Sequence, residues 1–107
     1  MIVGPGEAIV AGDQEVALIR QAIRSERKLE ITYRDQNNAE STRIIWPFAL
    51  AFFDRVRVVA AWCEKRRAFR HFRTDRITVL ALTDLRYPRR RQAMLKEWRA
   101  AEGIEAL

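Results

Sequence analysis

A chain of 107 residues has room for one domain with a single modest core. At 49% hydrophobic and 32% charged, with four glycines and three prolines, its composition excludes a disordered or fibrous chain. Twenty Lys and Arg against fourteen Asp and Glu leave a net charge of +6, which favours polyanionic partners: nucleic acid, nucleotides or an acidic protein face. Cys63 is the single cysteine, so no intrachain disulfide can form, and its place after the apolar run 58–62 reads as a buried, inert thiol. No apolar run nears the roughly 20 residues of a membrane span, and no basic-then-apolar leader opens the chain. A soluble cytoplasmic protein without a membrane partner is expected.

Residues 1–12 have the composition of a loose N-terminus. Gly4-Pro5-Gly6 is a turn signal and not a phosphate loop, because no strand precedes it and no Lys-Ser/Thr follows. Asp13 reads as an N-cap, and Val16, Ile19, Ala22 and Ile23 recur at helical spacing. With Arg24, Arg27 and Lys28 placed where the dipole favours cations, a helix over 13–28 is predicted.

The period then changes to two. Leu29, Ile31 and Tyr33 alternate with Glu30, Thr32 and Arg34, as in a half-buried strand. Asp35-Gln36-Asn37-Asn38 has turn chemistry. Thr42, Ile44 and Trp46 share a strand face opposite Ser41, Arg43 and Ile45, and Pro47 is expected to break the ladder or mark a bend. A short apolar piece over 48–53 follows, and Asp54-Arg55 turns the chain. Residues 56–63 are apolar on both faces except at Arg57, the pattern of the most buried strand. Strands over 68–73 and 76–82 complete five. In the tail, Pro88 suits the first turn of a helix over 88–102, with a stripe of Met94, Leu95, Trp98 and Ala101. Arg89, Arg90 and Arg91 crowd its start, where the dipole disfavours cations. Solvated arginines pairing with Asp84 are one explanation; contact with an acidic partner or second subunit is another.

The segment 66–76 holds five arginines, the only histidine and two phenylalanines, and it lies between apolar runs. Guanidiniums on a rigid scaffold hold phosphates and carboxylates in a chosen geometry. On a strand, the spacing of three alternates faces, so Arg67 and Arg73 point one way and Arg70 and Arg76 the other. His71 shares the Arg73 face and Phe72 the Arg70 face, giving two clusters. His71 with Arg73 is the expected open site, Arg70 or Arg76 being partly structural and Asp75 an ion-pair partner. The flanking cations favour a neutral imidazole, able to accept a hydrogen bond. No acid–His–nucleophile set is visible, and one His with one Cys does not make a zinc site. Neither an enzyme nor a cofactor or metal is expected.

Ala22-Ile23-Arg24, Arg27-Lys28-Leu29, Ile31-Thr32-Tyr33-Arg34, Arg43-Ile44-Ile45-Trp46-Pro47, Val58-Val59-Ala60-Ala61-Trp62-Cys63 and Phe69-Arg70-His71-Phe72-Arg73-Thr74-Asp75-Arg76-Ile77 occur in this order. The series resembles the WYL domain, and the tail 87–99 is similar to short members of the YafY-like regulators. The resemblance implies a mainly β (α+β) fold: an Sm-like, SH3-type five-stranded small barrel with an N-terminal and a C-terminal helix. It implies a bacterial regulatory domain that senses an anionic effector such as a nucleic acid or nucleotide. The family's naming triplet is replaced by Arg57-Val58-Val59, so an arginine stands where an aromatic could stack, favouring phosphate or carboxylate contact. The expected binding set is Tyr33, Arg43, Arg57, Arg70, His71, Arg73 and Arg76. Promoter DNA would be read only through a helix-turn-helix absent from this chain. A general single-stranded nucleic-acid binder, and an oligomerisation module using the Trp98 helix in a dimer, stay open.

Overall fold

Leu18, Ile19, Ala22 and Ile23 form one buried stripe on the first helix, α1 (Gln14–Ser25), in the computed structural model, which describes residues 8–10, 14–53 and 55–102. Asp13 lies outside the described residues. The helix stops three residues earlier than the sequence predicts. Glu26 takes a left-handed φ of 55°, its N–H donating to Ile23 O at 3.3 Å. Arg27 and Lys28 therefore open strand β2 (Arg27–Arg34) instead of closing the helix. The inward alternation of Leu29 and Ile31 wins over a favourable dipole contact.

The remaining elements are β3 (Glu40–Phe53), β4 (Val56–Cys63), β5 (Ala68–Arg73), a 3-10 turn (Thr74–Arg76), β6 (Ile77–Arg86) and α2 (Arg91–Glu102). The chain is mainly β, with a helix before and after the five strands β2–β6, as the resemblance implies. A short strand β1 (Ala8–Val10) adds to the edge by pairing antiparallel with β6, so the reading of 1–12 as loose does not hold for these three residues. The sheet order is β1-β6-β2-β3-β4-β5. Asp35 closes the β2–β3 turn: its Oδ1 accepts from Asn37 N (2.8 Å) and Ala39 N (3.0 Å), and Asn38 takes φ 61°.

Pro47 does not end the strand. β3 runs through it, pairing with β2 over its first half and with β4 over its second; Ile45 lies between Leu29 and Cys63. The register shifts between Pro47 and Ala49, and this bulge sends both Phe48 and Ala49 to the outer face. A long strand shared by two partners bends the sheet around α1. At the far side Tyr33 on β2 accepts a hydrogen bond from Arg73 N at the end of β5 (3.1 Å), with its ring edge-on to Phe72. The sheet thus wraps on itself as a small barrel.

Two cores result. The inner one joins the α1 stripe to Leu29, Ile31, Ile45, Val59, Phe72 and Leu80, each contributing about 1.5–3 kcal/mol on burial. The outer one lies under α2: Met94 and Trp98 pack on Phe48, Ala60 and Tyr87, with Trp46, Trp62 and Phe69 at its border. Trp98 is 5% exposed, its ring packed within the chain against Phe48 and His71. Helix α2 begins at Arg91 and not at Pro88, because Arg90 supplies its first carbonyl acceptor, to Met94 N. Arg89 pairs with Glu97 and not with Asp84.

Candidate functional site

Strand β5 carries the basic segment, and its pairing with β4 fixes the faces. Phe72, opposite Val59, is buried inward, whereas Phe69 and His71, opposite Trp62 and Ala60, look outward under α2. Arg67 falls in the preceding turn with φ 53° and is not part of the strand. Arg70 is exposed at the strand's open edge. It lines a cavity of about 330 Å³ together with Phe69, His71, Trp98 and Glu102.

His71 is the polar centre of that cavity. The indole N–H of Trp98 donates to its Nε2 over 2.8 Å, and the rings meet edge to face with centroids 5.6 Å apart. The indole nitrogen can only donate, so His71 Nε2 is the acceptor of this bond. Glu102 Oε1 is 3.7 Å from the same nitrogen, an ion pair only if the ring is protonated. Trp98 and Glu102 escape sequence reasoning: the α2 stripe marks Trp98 as a packing residue, but nothing local aligns it with His71, 27 positions away.

The other expected site residues are dispersed. Arg73, two positions from His71 on the same face, is committed to Asp75 through two hydrogen bonds of 3.0 and 2.8 Å. That bidentate contact raises the Arg73 guanidinium and holds the Asp75 carboxyl below its ordinary value. Arg76 ends the 3-10 turn nearby and adds to the field lowering Asp75. Arg57 sits at the β3–β4 tip, its guanidinium 5.8 Å from the centroid of Phe52, which is 65% exposed. Arg43 bonds Ser41 Oγ (3.1 Å) and reaches Cys63 Sγ (3.6 Å), and Tyr33 closes the barrel as described. Arg70 and His71 share the cavity; Tyr33, Arg43, Arg57, Arg73 and Arg76 do not line it. Among the described residues no group of His, Cys, Asp and Glu could hold a metal ion, and no helix is long and apolar enough to cross a membrane.

A curled antiparallel sheet on a single helix, with a cavity lined by Arg70, His71 and aromatic rings at its last strand edge, defines a small-barrel domain. The chain belongs to the WYL domain family, whose model matches residues 14–82. The match runs from α1 into β6 and leaves β1 and α2 outside it. The chain is 38% identical over 82 residues to the DNA-binding transcriptional repressor CapW of Stenotrophomonas maltophilia, an alignment covering 75% of this chain and 26% of the repressor. Its fold is similar to Proteasome accessory factor B/C (PafBC) of Arthrobacter aurescens, with a TM-score of 0.66 and 29% identity over 74% of this chain and 14% of that one. The chain thus spans about a quarter or less of the length of these relatives.

Proposed function

We propose that this chain is the ligand-sensing regulatory domain of a transcription regulator and binds an anionic effector, a nucleotide or short single-stranded nucleic acid, at the open edge of β5. The observation that carries the reading is the cavity beside Arg70 and His71, closed on its α2 side by Trp98 and Glu102. Arg70 offers a fork of donors suited to phosphate or carboxylate. Phe69 and Trp98 supply aromatic wall, and Nδ1–H of His71 is a further donor. Kinship with a repressor supports the regulatory role, with promoter DNA read by a domain outside this chain.

Glu102 gives the site a means of response. An anion entering beside Arg70 meets the Glu102 carboxylate, and the repulsion is relieved by displacing the end of α2. An effector shifts a conformational equilibrium only by its differential affinity for two states. Here the two states differ in whether Glu102 stands against His71. The effector is bound rather than transformed.

The test is titration with nucleotides and short oligothymidylates at low salt, read by fluorescence anisotropy. Saturable binding that weakens at least tenfold in Arg70→Ala is expected. No saturable binding, or an affinity indifferent to Arg70→Ala and His71→Ala together, overturns the reading. Affinity that grows steadily with strand length and falls steeply with salt would instead mark a general single-strand binder.

A further inference from the structure

Four guanidiniums near the start of α2, at the end away from Trp98 and Glu102, are not explained by the β5 site. Arg20 and Arg24 project from the second half of α1, and Arg90 and Arg91 stand at the start of α2. Arg24, Arg90 and Arg91 line one cavity of about 380 Å³; Arg20, Arg24 and Arg91 line a second of about 360 Å³. Sharing Arg24 and Arg91, the two form one groove. None of the four side chains takes part in an ion pair among the described residues. The one carboxylate in the groove, Glu26, already accepts from Arg91 N at 2.7 Å.

The second cavity has an apolar floor that includes Ile23 and Leu50. Its single aromatic, Phe48, is 2% exposed and presents no open ring face on which a base could stack. Single-stranded nucleic acid is held by aromatic platforms as well as by charge, and this groove offers only the charge. An arginine rim over an aliphatic floor fits carboxylates and branched apolar side chains presented together. A second copy of a chain with net charge +6 lacks that complementarity.

We propose that the α1–α2 groove is a docking surface for a partner protein, engaging an acidic segment that carries apolar side chains. Carboxylates of the partner pair with Arg20, Arg24, Arg90 and Arg91, and a leucine-like side chain fills the floor between Ile23 and Leu50. The three arginines crowded at the start of α2 then have a use for two of their number, while Arg89 is held by Glu97.

The experiment compares three fluorescein-labelled probes of equal charge on the intact chain: a short peptide of glutamates and leucines, the same peptide with serine at each leucine, and an oligothymidylate. Backbone amide shifts in two-dimensional NMR locate each probe. Burying one leucine is worth roughly tenfold or more in affinity, so the leucine peptide should bind at least tenfold tighter than the serine peptide. Its shifts should centre on Ile23, Arg24, Leu50 and Arg91. Arg24→Glu with Arg90→Glu, and separately the milder Arg24→Gln with Arg90→Gln, should weaken it, while Arg70→Ala leaves it unchanged. Equal affinity for the two peptides, tighter binding of oligothymidylate in this groove, or no binding of the leucine peptide overturns the proposal.

Discussion

Trp98 donates its indole N–H to His71 Nε2 across 2.8 Å, joining the third turn of α2 to the middle of β5. The bond orients the imidazole at the mouth of the candidate site and fastens the helix that closes it. Trp98→Phe keeps an aromatic ring over Phe48 but removes the donor and part of the buried ring volume, so it should cost about 1–3 kcal/mol, whereas Trp98→Ala should cost about 3–5 kcal/mol through the larger cavity it leaves. Urea unfolding monitored by circular dichroism measures both. Nitrogen-15 spectra of the histidine ring should show the proton on Nδ1 in the wild type. A proton found on Nε2 would contradict the hydrogen bond.

The small barrel is what the resemblance implies. The strands themselves were legible in the residue pattern, most clearly on β2, where Leu29 and Ile31 alternate and point inward with Ile45, Val59 and Phe72. Pro47 marks an irregularity in the ladder, as expected, although β3 continues through it. A missing N–H is tolerated because the bulge at 47–49 disturbs the ladder there in any case. Ala8–Val10 carries no signal of its own and is a strand only because β6 offers a free edge. The faces of Arg70, His71 and Arg73 followed from strand geometry, but their partners did not. Asp75 binds Arg73 two residues on, within reach of sequence reasoning. Trp98 and Glu102 reach His71 only through the packing of α2 across the sheet, a long-range outcome that no local pattern encodes.

Glu26 joins three elements. Its left-handed backbone ends α1, its carbonyl accepts from Tyr87 N (3.0 Å) and its carboxylate accepts from Arg91 N (2.7 Å) at the start of α2. A carboxylate at a helix N-terminus satisfies an otherwise orphaned amide and complements the positive end of the dipole. Glu26→Ala should therefore destabilise the fold by about 1 kcal/mol, in the range of a lost cap. Glu26→Gln, which keeps an acceptor oxygen, should lose less. Amide hydrogen exchange of Arg91 and its neighbours should accelerate in the alanine variant ahead of the core strands. Uniform acceleration across the sheet would show that the residue acts elsewhere.

Glu64 sets an acid limit on stability. Its Oε2 receives Lys28 Nζ and the indole N–H of Trp46, each at 2.7 Å, and Lys28 also lies 5.4 Å from the Trp46 ring centroid. These contacts, the Lys28 hydrogen bond foremost, outweigh desolvation and hold the carboxyl below its ordinary value of 4.5. Because the folded-state value lies below the unfolded one, the stabilisation is fully present above the unfolded value and is lost as pH falls through the folded one. Solvent screening keeps it modest. Glu64→Gln should thus be less stable than wild type at pH 7, and the gap should close on acidification below about pH 4. A gap of constant size across denaturant titrations at successive pH values would refute the assignment.

Tyr87 ties the β6–α2 connection to the bulge. Its hydroxyl donates to Pro47 O at 2.8 Å in a buried position, and its ring stacks on Trp46 with planes 16° apart. Burial, helped by the negative charge of Glu26, pushes the phenol far above its ordinary value of 10. The folded-state value exceeds the unfolded one, so the stabilisation is complete below about pH 10 and is lost as pH rises above it. Tyr87→Phe preserves the stack but leaves the Pro47 carbonyl buried without its donor, at a cost of about 1–3 kcal/mol. The variant should be less stable at neutral pH and should lack the Tyr87 share of the alkaline decline. Spectrophotometric titration should show Tyr87 ionising only as the fold opens, and ionisation at its ordinary value in the intact fold would refute the buried hydrogen bond.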